Sequence, residues 1–165
     1  MAPNISVRIL LAALVLTALG LAAAPGPALA SPGHALHQRC VSVEATGVGQ
    51  DLGGGRTTAT VTVAGITVGT TAATFTVTGV EGSLVSFVGP IVFTGLGGTL
   101  TADVTGSLDT ATGDFTSTSD ALTGTGALSG VTGHLTFTGH EDLTTGTFTE
   151  TISGELCAPV PGRRG

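Results

Sequence analysis

Residues Leu122 to Cys157 read LTGTGALSGVTGHLTFTGHEDLTTGTFTETISGELC, and this stretch decides the fold. Leu135 and Phe137 alternate with Thr136 and Thr138. Beyond Gly146, Phe148, Ile152 and Leu156 alternate with Thr149, Thr151 and Ser153. A period of two sends successive side chains to opposite faces of a pleated strand. The stretch is therefore a hairpin with one apolar face and one hydroxyl face.

The same hairpin occurs once more, 33 residues earlier. Gly106–Thr118 aligns with Gly139–Thr151, and both segments carry D-x-x-T-G-x-F-T-x-T. The pattern predicts a four-residue loop in which an Asp bonds the loop backbone and a Gly takes positive φ at its end. Loop length then fixes register. Leu108 should face Phe115, Gly106 Ser117, Val104 Ser119 and Ala102 Ala121. In the second copy Glu141 should face Phe148, Gly139 Glu150, Phe137 Ile152 and Leu135 Gly154. A slip of one residue would turn every apolar side chain to the wrong face.

Working outward, eight strands are expected, at about 40–46, 56–64, 71–79, 84–94, 99–108, 114–122, 133–142 and 146–157, with no helix-period segment. Gly65–Gly69 reads as a strand end or a bulge. Pro90 interrupts the fourth strand and predicts a bend or an edge. Strands with one apolar face must bury it, so the fold class is all-β: an eight-stranded, mostly antiparallel up-and-down barrel, or alternatively a β-sandwich. An outer-membrane barrel is disfavoured, because the outward set is Thr, with no Tyr or Trp for aromatic girdles.

The first thirty residues read as an address. Arg8 precedes an apolar run from Ile9 to Ala24, and Ala28-Leu29-Ala30 is a small-x-small site, which predicts a signal peptide over 1–30 cleaved after Ala30 and a secreted product. The run is about sixteen residues and Pro25 and Pro27 follow it, short of the roughly twenty a spanning helix needs. The remaining chain is one domain in length. Residues 31–39 read as a flexible arm, 40–157 as the barrel and 158–165 as a disordered tail. Without Arg8, four Arg stand against eleven carboxylates and Lys is absent, a net charge of −7. Such a surface repels phosphate, and six Phe are the whole aromatic complement, so nucleic acid is not an expected partner.

Cys40 and Cys157 are the only cysteines and bracket the domain. In an exported chain such a pair predicts a disulfide, tying first strand to last and favouring closure of the sheet. Both oppose the parity of their apolar neighbours, which places the bridge outside the core. No metal or cofactor is expected: His34 and His37 lack a third ligand nearby, and no Cys-His cluster occurs.

The run Thr123-Gly124-Thr125-Gly126-Ala127-Leu128-Ser129-Gly130-Val131-Thr132-Gly133 resembles the glycine-rich G-T-G-x-x-x-G-x-x-G connection of the allene oxide cyclase and dirigent barrel superfamily, in particular its small secreted bacterial members. The likeness covers roughly Gly97 to Cys157. It implies an eight-stranded barrel with a cavity, monomeric or homotrimeric, in a family that isomerises or steers reactive small molecules. None of the plant enzymes' catalytic residues finds a counterpart here.

Candidate chemistry rests on polar residues that share the apolar face. Glu150 lies between Phe148 and Ile152 and opposite Gly139; Ser117 is its repeat equivalent, Ser119 is next along, and Glu141 is nearer the loop. A carboxyl so placed should hold its proton more tightly and could act as an acid or base. The plainer reading is an interior Glu hydrogen-bonded to Ser or water. His134, His140 and Asp142 fall on the opposite face, where cross-strand pairing is the expected role. Two functions follow. The leading one is a secreted barrel binding a small apolar ligand or a surface partner without catalysis, with Glu141, Glu150, Ser117 and Ser119 as binding residues. The alternative is a cyclase-like isomerase acting on a small hydrophobic substrate, with Glu150 as its catalytic residue. Rows of Thr can also bind ice or glycans, but barrel twist opposes the flat array this needs.

Overall fold

The computed structural model describes residues 38–160. The expected signal peptide, most of the expected arm and residues 161–165 lie outside them. Nine strands follow in order: β1 (Gln38–Gly53), β2 (Arg56–Val63), β3 (Ile66–Thr74), β4 (Thr76–Glu81), β5 (Leu84–Gly95), β6 (Gly98–Asp109), β7 (Asp114–Gly124), β8 (Thr132–Asp142) and β9 (Thr147–Pro159). All pairings are antiparallel, the order is β3-β2-β1-β9-β8-β7-β6-β5-β4, and β3 also pairs β5. That last pairing closes an eight-stranded up-and-down barrel. β4 is the continuation of β3 past a break at Phe75, and it pairs with β5 alone.

The seam between β1 and β9 is the longest ladder, in register from Gln38↔Pro159 to Gln50↔Thr147. Cys40 faces Cys157 across it and the two are bonded. Their neighbour Leu156 packs towards the core while the cysteines face outward, as the parity argument required. The paired strands run to Gln38 and Pro159. Arg39, Ala158 and Pro159 therefore belong to the sheet and not to the arm and tail, because each strand supplies the other's backbone partners.

The hairpin grammar holds in detail. Asp109 Oδ1 accepts from the Ala111 N–H at 2.9 Å and Asp142 Oδ1 from the Thr144 N–H at 2.9 Å. Gly113 and Gly146 close the two loops at φ 85° and 71°. Leu108↔Phe115, Gly106↔Ser117, Glu141↔Phe148, Gly139↔Glu150, Phe137↔Ile152 and Leu135↔Gly154 all pair as expected.

Further along β7 the register departs from expectation. Thr105 pairs Thr118 but Asp103 pairs Ala121, so β7 carries one extra residue at that level. This bulge makes Leu122 the partner of Ala102 and packs it on the core, leaving Ala121 exposed. Ser119, 1% exposed, stabilises it by donating from Oγ to the Ala121 carbonyl at 2.7 Å. β2 and β3 meet at a two-residue turn, Ala64-Gly65, with a second irregularity between Val61 and Thr62. Pro90 sits where β5 changes partner from β4 (Thr76↔Val88) to β3 (Ala73↔Ile91). A residue without an N–H thus falls at the gap in the third strand.

The two barrel ends differ. Around one, Ala45, Val61, Leu100, Ala102, Val104, Leu135, Phe137 and Ile152 are buried and fill the interior. The β7–β8 connection crosses this end as one 3₁₀ turn, Gly126–Leu128, held by the Ala127 N–H donating to the Gly97 carbonyl at 3.2 Å. It lays Val131 and Leu128 against the core as a plug. The opposite end carries the turns 54–55, 82–83, 110–113 and 143–146, and there the interior is open.

Candidate functional site

The site grows from a size mismatch between neighbouring strands. On β9 the inward residues Phe148 and Glu150 are large, and their partners on β1 are Gly49 and Gly47. A Cβ at Gly47 would stand 2.5 Å from Glu150 Oε1, and one at Gly49 would overlap the Phe148 ring. On β8, Gly139 pairs Glu150 and lies under the Phe115 ring. Glycine on both flanks gives Glu150 a niche. It also lets Phe115 and Phe148 meet edge to face across β8, with centroids 5.9 Å apart. On the other wall Phe75, at the break between β3 and β4, packs against Phe87 of β5 at 4.8 Å.

Between these aromatic pairs lies a cavity of about 180 Å³. Ala73, Ile91, Val85 and Leu108 complete its apolar wall, and Glu150, Glu141, Asp51, Ser117, Thr57 and Thr71 are its polar lining. At the break after β3 the Phe75 N–H donates to the Gly55 carbonyl of the β1–β2 turn at 2.7 Å, and Gly55, Phe75 and Val77 line the chamber there. Asp51 is fixed at this rim by its N–H donating to the Gly146 carbonyl at 2.7 Å, and its Oδ1 accepts from the Gly53 N–H at 2.8 Å.

Burial raises the Glu150 carboxyl from an ordinary 4.5 to about 7. No opposing cation offsets that cost: the described arginines are Arg39, at the plugged end, and Arg56, which points outward between Gly55 and Thr57. Glu141 is also raised, first by burial and then by the negative charge of Asp51. The Glu150 carboxyl lies beside Gly47, and Glu150 is part of the cavity lining.

Of the residues singled out in the sequence, Glu150, Glu141 and Ser117 come together on the cavity wall. Ser119 does not join them; it lies below, committed to the bulge. His140 pairs across strands with Asp114 on the outer face at 3.0 Å, and His134 faces Glu155. Asp142 caps the β8–β9 loop and is held low by those backbone hydrogen bonds. The three are not brought into a metal set. The described residues bring only Cys40, Glu155 and Cys157 within ligand distance of one another, and two of these are the disulfide.

The sequence pattern points Phe115 and Phe148 inward, but Thr71, Phe75 and Phe87 join the lining without a local signal. Asp51 joins it too: the alternation Ala45, Gly47, Gly49, Asp51 carries the signal, but the expected first strand stops at 46. The niche itself is testable. A Cβ at Gly139 would drive into the Thr149 carbonyl and the Phe115 ring, and backbone cannot step aside. Gly139→Ala should destabilise the fold by about 1–3 kcal/mol in denaturant unfolding, as overpacking does; a change under about 0.5 kcal/mol would show that the wall is loose.

Set against known proteins, the chain matches no family model, no curated protein and no solved structure, so its function has to be read from the barrel itself.

Proposed function

We propose that the protein is an exported, non-catalytic barrel that takes up a compact, mainly apolar ligand in its open end. The observation that carries this reading is the cavity: about 180 Å³ of space walled by Phe75, Phe87, Phe115 and Phe148, in a barrel whose other end is filled. A cavity of about 150 Å³ walled by apolar side chains suffices for benzene, so the ligand is of single-ring size. Export is supported by the N-terminal signal pattern and by the Cys40–Cys157 bond, which persists in oxidising compartments. The resemblance of Thr123–Gly133 to the cyclase and dirigent barrels supports an interior that handles small molecules. A second reading, an isomerase or cyclase with Glu150 as its general base, draws on one observation, a carboxyl that titrates at about 7 inside the cavity.

The test is a titration with benzene, followed by the amide NMR signals of the protein. Shifts should be confined to the open end, at Gly47, Gly139, Phe148 and Ile91. Ala73→Leu, which directs a larger side chain into the cavity, should abolish them while leaving the rest of the spectrum in place. Benzene at saturation with no shifts at those positions would overturn the reading.

A further inference from the structure

We infer that the ligand of this cavity is a cation: a small primary or quaternary amine whose apolar body is about the size of one ring. The inference rests on the ligand-binding reading above and adds the charge of what is bound. It stands on what the lining contains and what it lacks. Three carboxyls, Glu150, Glu141 and Asp51, come from three strands to one apolar chamber, and among the described residues no Arg or His side chain lines it. Asp51 is held at the rim by the Gly53 N–H, as Asp109 and Asp142 are held by their loop N–H groups, whereas Glu150 and Glu141 meet no cationic side chain on the cavity wall.

Four phenylalanines supply the complementary surface. The faces of Phe rings carry negative potential, and an ammonium within about 6 Å of a ring centroid is attracted to it, more so when water is excluded. Carboxylates with aromatic faces make up a site for an organic cation. The same walls reject an anion, which would meet three acids and no compensating charge. A neutral ligand would fill the space yet leave Glu150 desolvated and unpaired, so the acid would have to keep its proton. An ammonium removes that conflict: Glu150 releases its proton and pairs with the incoming charge. The volume limits the guest to about the size of benzene plus a short amine arm. The net charge of the chain, −6 as written with Arg8 included, draws cations towards it.

Three probes of one shape separate the outcomes: 2-phenylethylamine, 2-phenylethanol and 3-phenylpropionate, titrated into the protein at pH 8 and followed by amide shifts at Gly47, Gly139 and Phe148. The amine should bind about tenfold more tightly than the alcohol, with the carboxylate weakest. Glu150→Gln should bring amine affinity down to that of the alcohol and leave the alcohol unchanged. Binding of alcohol and amine with equal strength would overturn the charge preference while the ligand-binding reading survives. Amine binding that Glu150→Gln leaves intact, with shifts mapping to outer-face acids, would overturn the site. Failure of all three probes while benzene still shifts these amides would overturn the charge inference alone, and failure of benzene as well would overturn both readings.

Discussion

Replacing Cys40 and Cys157 together by serine should lower the midpoint of thermal unfolding by roughly 10–20 °C, the largest effect expected from any change outside the core. The bond closes a separation of 117 residues, and in the chain-entropy account a loop of that length restricts the unfolded chain by about 4–5 kcal/mol. The native barrel should survive the loss. Cys40 and Cys157 are partners in a ladder that continues to Gln50↔Thr147, so the seam keeps its backbone hydrogen bonds without the sulfur link. The doubly substituted protein should retain its far-ultraviolet circular dichroism, while amide exchange quickens near Val41, Val43 and Leu156 as the seam frays at that end. A midpoint lowered by less than about 3 °C would mean that the unfolded chain is already compact across the seam.

Glu150→Gln should stabilise the protein at alkaline pH and leave it unchanged in acid. In the folded barrel the Glu150 carboxyl keeps its proton up to about 7, whereas the unfolded chain releases it near 4.5. Between those values the folded state binds more protons than the unfolded one, so stability falls as pH rises. The contribution is whole below pH 4.5, declines through the interval and is lost above 7. The gap between 4.5 and about 7 corresponds to up to about 3 kcal/mol. Gln keeps the shape and cannot ionise. The variant should therefore match the wild type at pH 4 and exceed it by up to about 3 kcal/mol at pH 8 in denaturant unfolding. Glu141 and Asp51, the other acids on this chamber, are unchanged in both proteins and cancel in the comparison. Equal stability of the two proteins at pH 8 would show that water reaches Glu150 freely and that the niche between Gly47 and Gly139 is not dry.

How far the site could be read in advance differs strand by strand. β8 and β9 were legible because their loop is short, carries its own Asp and Gly, and so sets the register that aims Glu141 and Glu150 inward. The start of β7 followed for the same reason. Four residues past Phe115 the reading failed, because one extra residue at the bulge reverses parity and nothing in Ser119-Asp120-Ala121 announces it. β1 failed in another way. The expected strand ends at 46, yet Gly47 and Gly49 lie in mid-strand, where they leave room for Glu150 and Phe148 from a strand about a hundred residues away. The third strand is expected to be continuous over 71–79, but it breaks at Phe75, whose ring becomes part of the chamber wall.

Sequence alone determined the strand character, the two capped hairpins, the all-β class and the pairing of the two cysteines. Each of these depends on neighbours within a few residues or, for the cysteines, on there being no other partner. Only the tertiary structure decided that the sheet closes as a barrel, that one end is plugged and the other hollow, and that Asp51 joins Glu141 and Glu150 there. The free volume at any level of a barrel is set by the inward side chains of all eight strands at that height. Which residues share a height depends on the stagger of every strand, including its bulges. A local pattern shows that a side chain points inward; the whole barrel is needed to show what it meets there.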